Sequence, residues 1–574
     1  MSLIRIPALR GPGRVSLRPL SEGWPLLPVL MYLILVLPFY FNNNAGSGLS
    51  LPQNLLAWVA MMLCVLLIAL RVALSGRLRI SNQIVLAALA VMLMMLPWLW
   101  TPCPLWQDHA LPRLAGIAGA LCVALALYQV RLSGTLRRVM LYGVVISALA
   151  QAIEAMFQAW LPGVAYRLMD YEAPLPYGIF EQRNVLASWL ATGYGVCLYL
   201  ALTARTRHRA LVPVLALYPL CIALTLTSSR AGALGALAMT LLAALADRPR
   251  WHGHPLAALR RLILLTSLLT ACAATALWGM PSGHNLDYSH TASTAQRLRV
   301  LAGTTEMIVQ HPLTGSGLGS FESQFPSALE AAGLESLEND TFTHPHNEVM
   351  YVMAEGGFIA LSGLLLLAGL WLWPVAHHLR RRDVRWLLSL TGLPIVIHMM
   401  TEYPVYQSAP HLMMLLLLYR AGLPAETLRA VRAPTMLRAV GLPAVCLCTC
   451  AALAVLTAGL TIQETLTRAE ADMNAGLIPS LPAADWRTLT QAERLDYDRH
   501  MLAANGPGFA RSPYAMAAFT VWGKRWLAVH NDAEVSAAMI FIARHRGDHD
   551  AAERLRVRAA RVFVADERFH REGD

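Results

Sequence analysis

The chain has 574 residues, of which 56% are hydrophobic and only 14% charged, with a mean hydropathy of +0.47 and a formal net charge of +11. These values mark a polytopic membrane protein, because apolar runs of roughly 20 residues, each able to cross a hydrocarbon core of about 30 Å, recur from Trp24 to about Leu460. The arginines occupy short gaps between those runs and not one amphipathic face, so the positive charge belongs with a membrane and not with nucleic acid.

In chain order, residues 1–24 form a basic cytoplasmic segment (Arg5, Arg10, Arg14, Arg18) without a small-residue cleavage site, so the first span reads as an uncleaved anchor. The periodicity predicts spans near 25–41, 53–71, 83–100, 113–130, 138–160, 185–203, 210–227, 231–246, 261–279, 349–374, 385–400, 405–420 and 437–460, roughly 13 in all. The nine cysteines suggest no disulfide framework: eight fall within apolar runs and Cys103 sits alone in a connection. The expected fold is all-α: a helical transmembrane domain over 25–460 that includes a large outer loop over 280–347. A small helical domain over 461–574, charged and alanine-rich, follows it and is long enough to fold on its own.

Orientation follows from arginine. If the N-terminus is cytoplasmic, about 25 arginines fall in the inner segments and about six in the outer connections before residue 461. The long connections 161–184 and 280–347 and the tail then all face outward, to the periplasm of a Gram-negative cell.

The polar residues that stand out gather on that outer side. "YGIFEQRNVLASWLATG" puts Gln182, Arg183 and Asn184 at the entrance of a span. "LTLTSSRAGALGALAM" sets Arg230 between two apolar runs; snorkelling is the ordinary explanation, but a planar guanidinium on this face also suits a diphosphate at the bilayer surface. In "STAQRLRVLAGTTEMIVQ" the Ser293 and Gln296 pair resembles a capping box, predicting a surface helix with Arg297 and Arg299 near its start and an apolar stripe of Leu298, Leu301, Ile308 and Val309. The glycines of "HPLTGSGLGSFE" could form an anion-binding concavity, a weak signal by itself.

"TFTHPHNEVMY" follows. Thr343 is expected to cap a helix whose first turn holds His344, Pro345 and His346, where the helix macrodipole would keep His346 neutral and able to accept a proton. Two plainer readings stand beside it: a histidine that only caps the chain, and a His-x-His metal pair, for which no further ligand lies at suitable spacing. "HMMTEYPVYQSAPH" adds Glu402, Tyr403 and Tyr406 in an outer connection without arginine.

"FEQRNVLA", "TSSRAGALGAL", "QRLRVLAGTTEMIVQHPLTGSGLGSF" and "HPHNEVMYVMAEGGFIAL", in this order on a multi-span chain, resemble the O-antigen ligase and polymerase superfamily, and more narrowly the bacterial protein O-oligosaccharyltransferases of the PglL type. The resemblance implies a cofactor-free, metal-independent, inverting transfer of a glycan from an undecaprenyl-diphosphate carrier to a hydroxyl of a pilin or other periplasmic protein, at the outer face of the inner membrane. It makes His346 the essential histidine, gives Arg230 and Arg297 the diphosphate, and makes Gln182 and Tyr403 polar residues needed for transfer. Asn184, Asn347 and Glu402 join the same pocket, and His344 lies where relatives vary. "RVLAG" departs from relatives that carry tryptophan there, which leaves Arg297 and Arg299 as alternatives. Competing readings are an O-antigen ligase acting on lipid A-core, a polysaccharide polymerase, and a transporter or flippase. A transporter would place its ionisable groups near the bilayer midplane, whereas the spans here are nearly free of acidic residues, Glu154 being a notable exception, and the polar residues crowd the outer edge.

Overall fold

The computed structural model describes residues 23–169, 173–247, 286–335 and 341–570. The helices that position the site are α1 (Pro52–Ser75), α2 (Asn82–Met95), α3 (Pro104–Gln129), α4 (Gly134–Trp160), α5 (Arg183–Thr203), α6 (Arg207–Leu226), α7 (Arg230–Asp247), α8 (Leu286–Gln310), α9 (Phe321–Ala331), α10 (Glu348–Arg380), α11 (Ala409–Gly422) and α12 (Leu442–Asn474). Among the described residues eight helices are long and apolar enough to cross a membrane, so the chain is an all-α, multi-pass membrane protein. The expected span 261–279 lies outside the described residues.

α5 is the central post. It is 94% buried along its apolar window and packs against α4, α6, α7 and the short helix Leu393–Met399. Its run of alanine, glycine and leucine has no polar face because it has no solvent-facing side.

Two expected spans are broken. In place of continuous helices over 385–400 and 405–420, the chain forms short helices Arg385–Ser389, Leu393–Met399 and Pro404–Gln407 before α11. Pro394, Pro404 and Pro410, which sit within the first two residues of their helices, set these breaks, since proline starts a helix readily but cannot continue one. The 14 residues of α11 rise only about 21 Å at 1.5 Å per residue, short of the ~30 Å hydrocarbon core. Irregular backbone at such depth is stable only where protein covers it or a polar cavity receives it, and the break holds Glu402 and Tyr403.

Opposite this end, Arg77–Ile80 (β1) pairs antiparallel with Arg429–Arg432 (β2), Arg77 facing Arg432. The ribbon joins two of the connections that the arginine pattern places on the inner side. Arg420, at the start of the second of these, is buried and donates to the carbonyls of Leu127 (2.9 Å) and Val130, at the edge of a third.

The glycine-rich stretch is not an open anion cradle. Ser316 N–H and Gly317 N–H donate to the carbonyls of Ala354 (2.9 Å) and Glu355 (3.0 Å), and Leu318 N–H donates to Thr101 Oγ1 (3.0 Å). Gly319 and Phe321 N–H both reach Glu355 Oε1 at 3.1 Å. The concavity is already filled, by a carboxylate of the protein itself, which also pairs with Arg113. A Cβ on Gly315 would lie 2.2 Å from the Glu355 backbone, and Gly357, at φ +62°, kinks α10 to receive the loop.

α8 also differs from expectation. It begins at Leu286, upstream of Ser293, and its buried stripe runs through Val300, Thr304 and Met307, while Leu298 and Val309 are exposed. Val300 and Met307 pack with Phe321, Phe325 and Ala354, so the helix faces the protein through this row.

The expected boundary at 460/461 falls inside a helix. α12 continues unbroken to Asn474, and α13 (Ala492–Ala504), α14 (Pro513–Trp526), α15 (Ala533–His545) and α16 (His549–Val562) follow. Phe519, Trp522, Met539 and Ile542 form part of a core of their own there. Gln491 Nε2 donates to the Leu49 carbonyl (2.6 Å), and Trp106 Nε1 to the Ala528 carbonyl (2.9 Å), so the tail rests on the membrane helices.

Replacing Glu355 with alanine strands Arg113 and two loop amides. Breaking such a buried pair costs about 3–5 kcal/mol. The expected result is a clear fall in Tm of the detergent-solubilised protein, and an unchanged Tm would refute this role of the carboxylate.

Candidate active site

Three helices begin at the site in the same way. Glu181 (φ +57°), Ser228 (φ +50°) and His346 (φ +58°) are left-handed residues, and each stands two positions before the first residue of α5, α7 or α10. A non-glycine residue in this region costs on the order of 1–3 kcal/mol and persists only where its surroundings enforce it. At His346 the enforcing contact is its own N–H donating to His344 Nδ1 (3.0 Å); at Glu181, Asn43 Nδ2 donates to the carboxylate (3.0 Å). The turns leave Arg183 and Arg230 as the first residues of their helices, where free N–H groups and positive helix ends add to the guanidinium charge. Gly232 lets α7 press against α5 at this level, for a Cβ there would meet Ala187 Cβ at 2.5 Å.

His344 and His346 precede α10 and are not in its first turn. Asn347 is the cap: its Oδ1 accepts from Met350 N–H (3.1 Å), and its Nδ2 donates to the Met400 carbonyl (3.2 Å), tying the histidine turn to the broken segment. Thr343 is exposed.

Glu402 is the hub. Only 4% exposed, it accepts from Gln182 Nε2 and, through Oε1, from Asn184 Nδ2 (2.9 Å) and Arg297 Nη2 (2.6 Å). Arg183 lies within electrostatic reach of Glu402, Arg297 and Arg230. Arg297 and Arg183 thus face one buried carboxylate, and Arg230 lies within electrostatic reach of Arg183, a surplus of positive charge that an anionic ligand can neutralise. The structure brings Gln182, Asn184, Arg297 and Glu402 together, with Arg230 beside them. Arg299 goes elsewhere, donating to the Glu335 carbonyl (2.8 Å).

The histidines lie against this hub. Tyr403 packs between them, its ring centroid 4.8 Å from His344 and 5.6 Å from His346. His344 Nε2 faces Glu348 Oε2 at 3.4 Å, and Glu348 Oε1 accepts from Tyr406 Oη (2.7 Å); both His344 and Glu348 are buried. With Nδ1 engaged by a backbone amide and Nε2 by a carboxylate, His344 has a positioning geometry. His346 is half-buried and its Nδ1 is buried without a protein partner, so proton exchange with a substrate falls to Nε2. Burial first, then the nearby His344 and Arg297, push the His346 imidazole down to about 4. The neutral ring expected from the helix macrodipole is present chiefly for a different reason, desolvation.

Two buried histidines have no counterpart in the sequence reading. His398 Nδ1 (2.9 Å) and His411 Nε2 (3.2 Å) both meet Ser188 Oγ on α5, and they fix the two ends of the broken segment that carries Glu402. They stood at the two ends of "HMMTEYPVYQSAPH", but a lone histidine in an apolar run gives no sign of its partner. Arg183 had a usable signal, the scarcity of arginine on this side, which applies to it as much as to Arg230.

A buried hub with surplus cations beside a neutral histidine, at one end of a helical bundle, is the constellation of a membrane enzyme that handles an anionic substrate. Residues 215–366 match the family model described as O-antigen ligase, and residues 386–572 match that described as virulence factor membrane-bound polymerase, C-terminal. These two matches support the O-antigen ligase/polymerase superfamily and indicate a membrane glycan transferase of the ligase or polymerase type. No curated protein matches the chain. The first region holds Arg230, Arg297 and both histidines of the turn, the second holds Glu402 and Tyr403, and Gln182 and Asn184 lie outside both.

The depressed His346 pKa has a kinetic consequence. The proton-accepting form is lost only as pH falls through about 4, so kcat/KM for glycan transfer should change less than about twofold between pH 7 and pH 5, where a histidine near 6.5 would lose about 25-fold. An acid limb near pH 6.5 would show that the ring is not desolvated in the free enzyme.

Proposed function

We propose that the protein is a protein O-oligosaccharyltransferase of the bacterial inner membrane, moving a glycan from undecaprenyl diphosphate to serine or threonine hydroxyls of pilin or other periplasmic proteins. The observation that carries the transfer reading is the Glu402 hub, which orients Arg297 with Gln182 and Asn184 next to His346.

In this reading the acceptor oxygen attacks the anomeric carbon as the bond to the diphosphate oxygen breaks, and the hydroxyl proton passes to His346 Nε2. One displacement inverts the anomeric centre. The diphosphate leaves with the bonding electrons, its charge held by Arg297, Arg230 and Arg183, whose preorganisation costs no reorganisation at the moment of reaction. A bound diphosphate also offsets the Arg297 charge that disfavours imidazolium, so the ring becomes a better base once the donor is in place. No nucleotide, metal or other cofactor enters the step, since the leaving group is already present on the donor.

The protein acceptor rests on the resemblance of the Gln182 and Tyr403 stretches and on a tail that packs beside the outer connections. Lipid A-core as acceptor would use the same pocket and the same chemistry.

The test supplies Gram-negative cells lacking their own ligase with a lipid-linked glycan and a candidate pilin, and compares wild type with His346→Ala at matched membrane levels. Glycosylated pilin with wild type and at least ~100-fold less with the variant is expected, the scale of a lost general base. Glycan on lipid A-core alone would move the assignment to a ligase, and transfer undiminished in His346→Ala would remove the histidine from the mechanism.

A further inference from the structure

Where the tail meets the membrane helices, a second cluster takes no part in the Glu402 hub. His109 belongs to the second turn of α3, Glu493 to the first turn of α13, His530 to the turn between α14 and α15, and Glu322 to the first turn of α9. Glu493 Oε1 lies 3.1 Å from His109 Nδ1 and 2.6 Å from His530 Nε2. The two imidazoles stand nearly perpendicular, centroids 4.9 Å apart, with both nitrogens converging on that one oxygen. Among the described residues this is the one set of three His, Cys, Asp or Glu side chains whose ligand atoms come together, all within 4.8 Å of one another.

Two rings directed at a single carboxylate oxygen can share it as hydrogen-bond donors, and two imidazoles with a carboxylate are equally the ligand types that a zinc-class ion takes. A tetrahedral zinc ion with bonds of about 2.0–2.1 Å has ligand atoms about 3.3 Å apart, close to the 3.1 Å and 2.6 Å that separate Glu493 Oε1 from the two ring nitrogens, and all three ligand atoms lie within 4.8 Å of one another. The other face of His530 strengthens the case. Its Nδ1 lies 3.0 Å from Glu322 Oε2, and Glu322 is itself buried and fixed, accepting from Asn531 N–H (2.8 Å) through Oε1 and from Asn531 Nδ2 (2.6 Å) through its carbonyl. A carboxylate on the far nitrogen is the usual partner of a metal-bound histidine, because it sets the tautomer and leaves the near nitrogen its lone pair.

We infer that His109, His530 and Glu493 bind a zinc-class divalent cation, with Glu322 orienting His530, and that this ion clips the tail to α3. Glu493 is exposed, so a water can complete the shell. Joining residue 109 to residues near 493 and 530 closes very long loops, where a metal clip removes the most chain entropy from the undocked state. The role is structural and separate from the transfer step.

The test uses the full chain without a polyhistidine tag, purified in detergent, stripped with chelator, dialysed and titrated with zinc. One zinc per chain is expected by elemental analysis, together with slower proteolysis of the segment around His530. His109→Gln keeps a hydrogen bond to Glu493 but removes the ligand nitrogen, and should weaken zinc binding at least ~100-fold; Glu322→Gln should weaken it about 10–100-fold. His500→Ala, whose ring stacks on Trp522 in the tail, should bind as wild type does. A monodisperse wild-type protein that takes up no zinc, or a His109→Gln protein that binds it equally well, would overturn the proposal and leave the cluster as a hydrogen-bonded latch.

Discussion

A carboxylate taken out of water must be answered by donors, and at Glu402 that demand organises one end of the bundle. Its two oxygens collect an amide from each of two positions at the start of α5 and a guanidinium from α8, so three segments far apart in the chain share one origin. Removing the carboxylate would leave Arg297, Arg183 and Arg230 to repel one another. Keeping it sets them at fixed places with net positive charge to spare, which a dianionic ligand can satisfy and water cannot hold in register.

The fold explains how a carboxylate comes to be there. A continuous span would carry residue 402 outside the bundle, whereas the proline breaks and the short α11 sink it among helices. Ser188 on the buried α5 then fixes His398 and His411 on either side of the break. The Gly315–Phe321 loop, docked on α10 through Glu355, holds the kinked helix whose N-terminus carries the histidine turn. Strain at Glu181, Ser228 and His346 is the local expression of these constraints.

Much of the helical content was legible because a span needs about 20 apolar residues and little else. The arginine asymmetry grouped residues 77–80 and 429–432 on one side, and the β1–β2 ribbon joins these two connections. Membership of the site was legible in part: Gln182, Asn184, Arg297, Glu402 and His346 could be singled out by being polar on one side. Their pairing could not, since Glu402 and Gln182 lie 220 residues apart and no periodicity links them. The glycine loop misled for a physical reason, because an amide cradle that binds an external anion and one that binds the protein's own Glu355 have the same sequence. Helix starts misled too: His346 adopts a left-handed turn that only the three-dimensional setting enforces, which moves the cap from Thr343 to Asn347. The continuity of α12 across residue 461 was not legible, because apolar and polar stretches share that single helix.

The central claim is a division of labour in which the Glu402 hub holds the donor and His346 acts on the acceptor. The most direct measurement is equilibrium binding of radiolabelled undecaprenyl-diphosphate-linked glycan to detergent-solubilised wild type, Arg297→Ala and His346→Ala, with single-turnover transfer followed on the same samples. The account predicts that His346→Ala binds the donor as wild type does and transfers almost nothing, whereas Arg297→Ala binds at least ~10-fold more weakly, the scale of one lost charged hydrogen bond. Donor affinity unchanged in Arg297→Ala, or lost equally in His346→Ala, would contradict it.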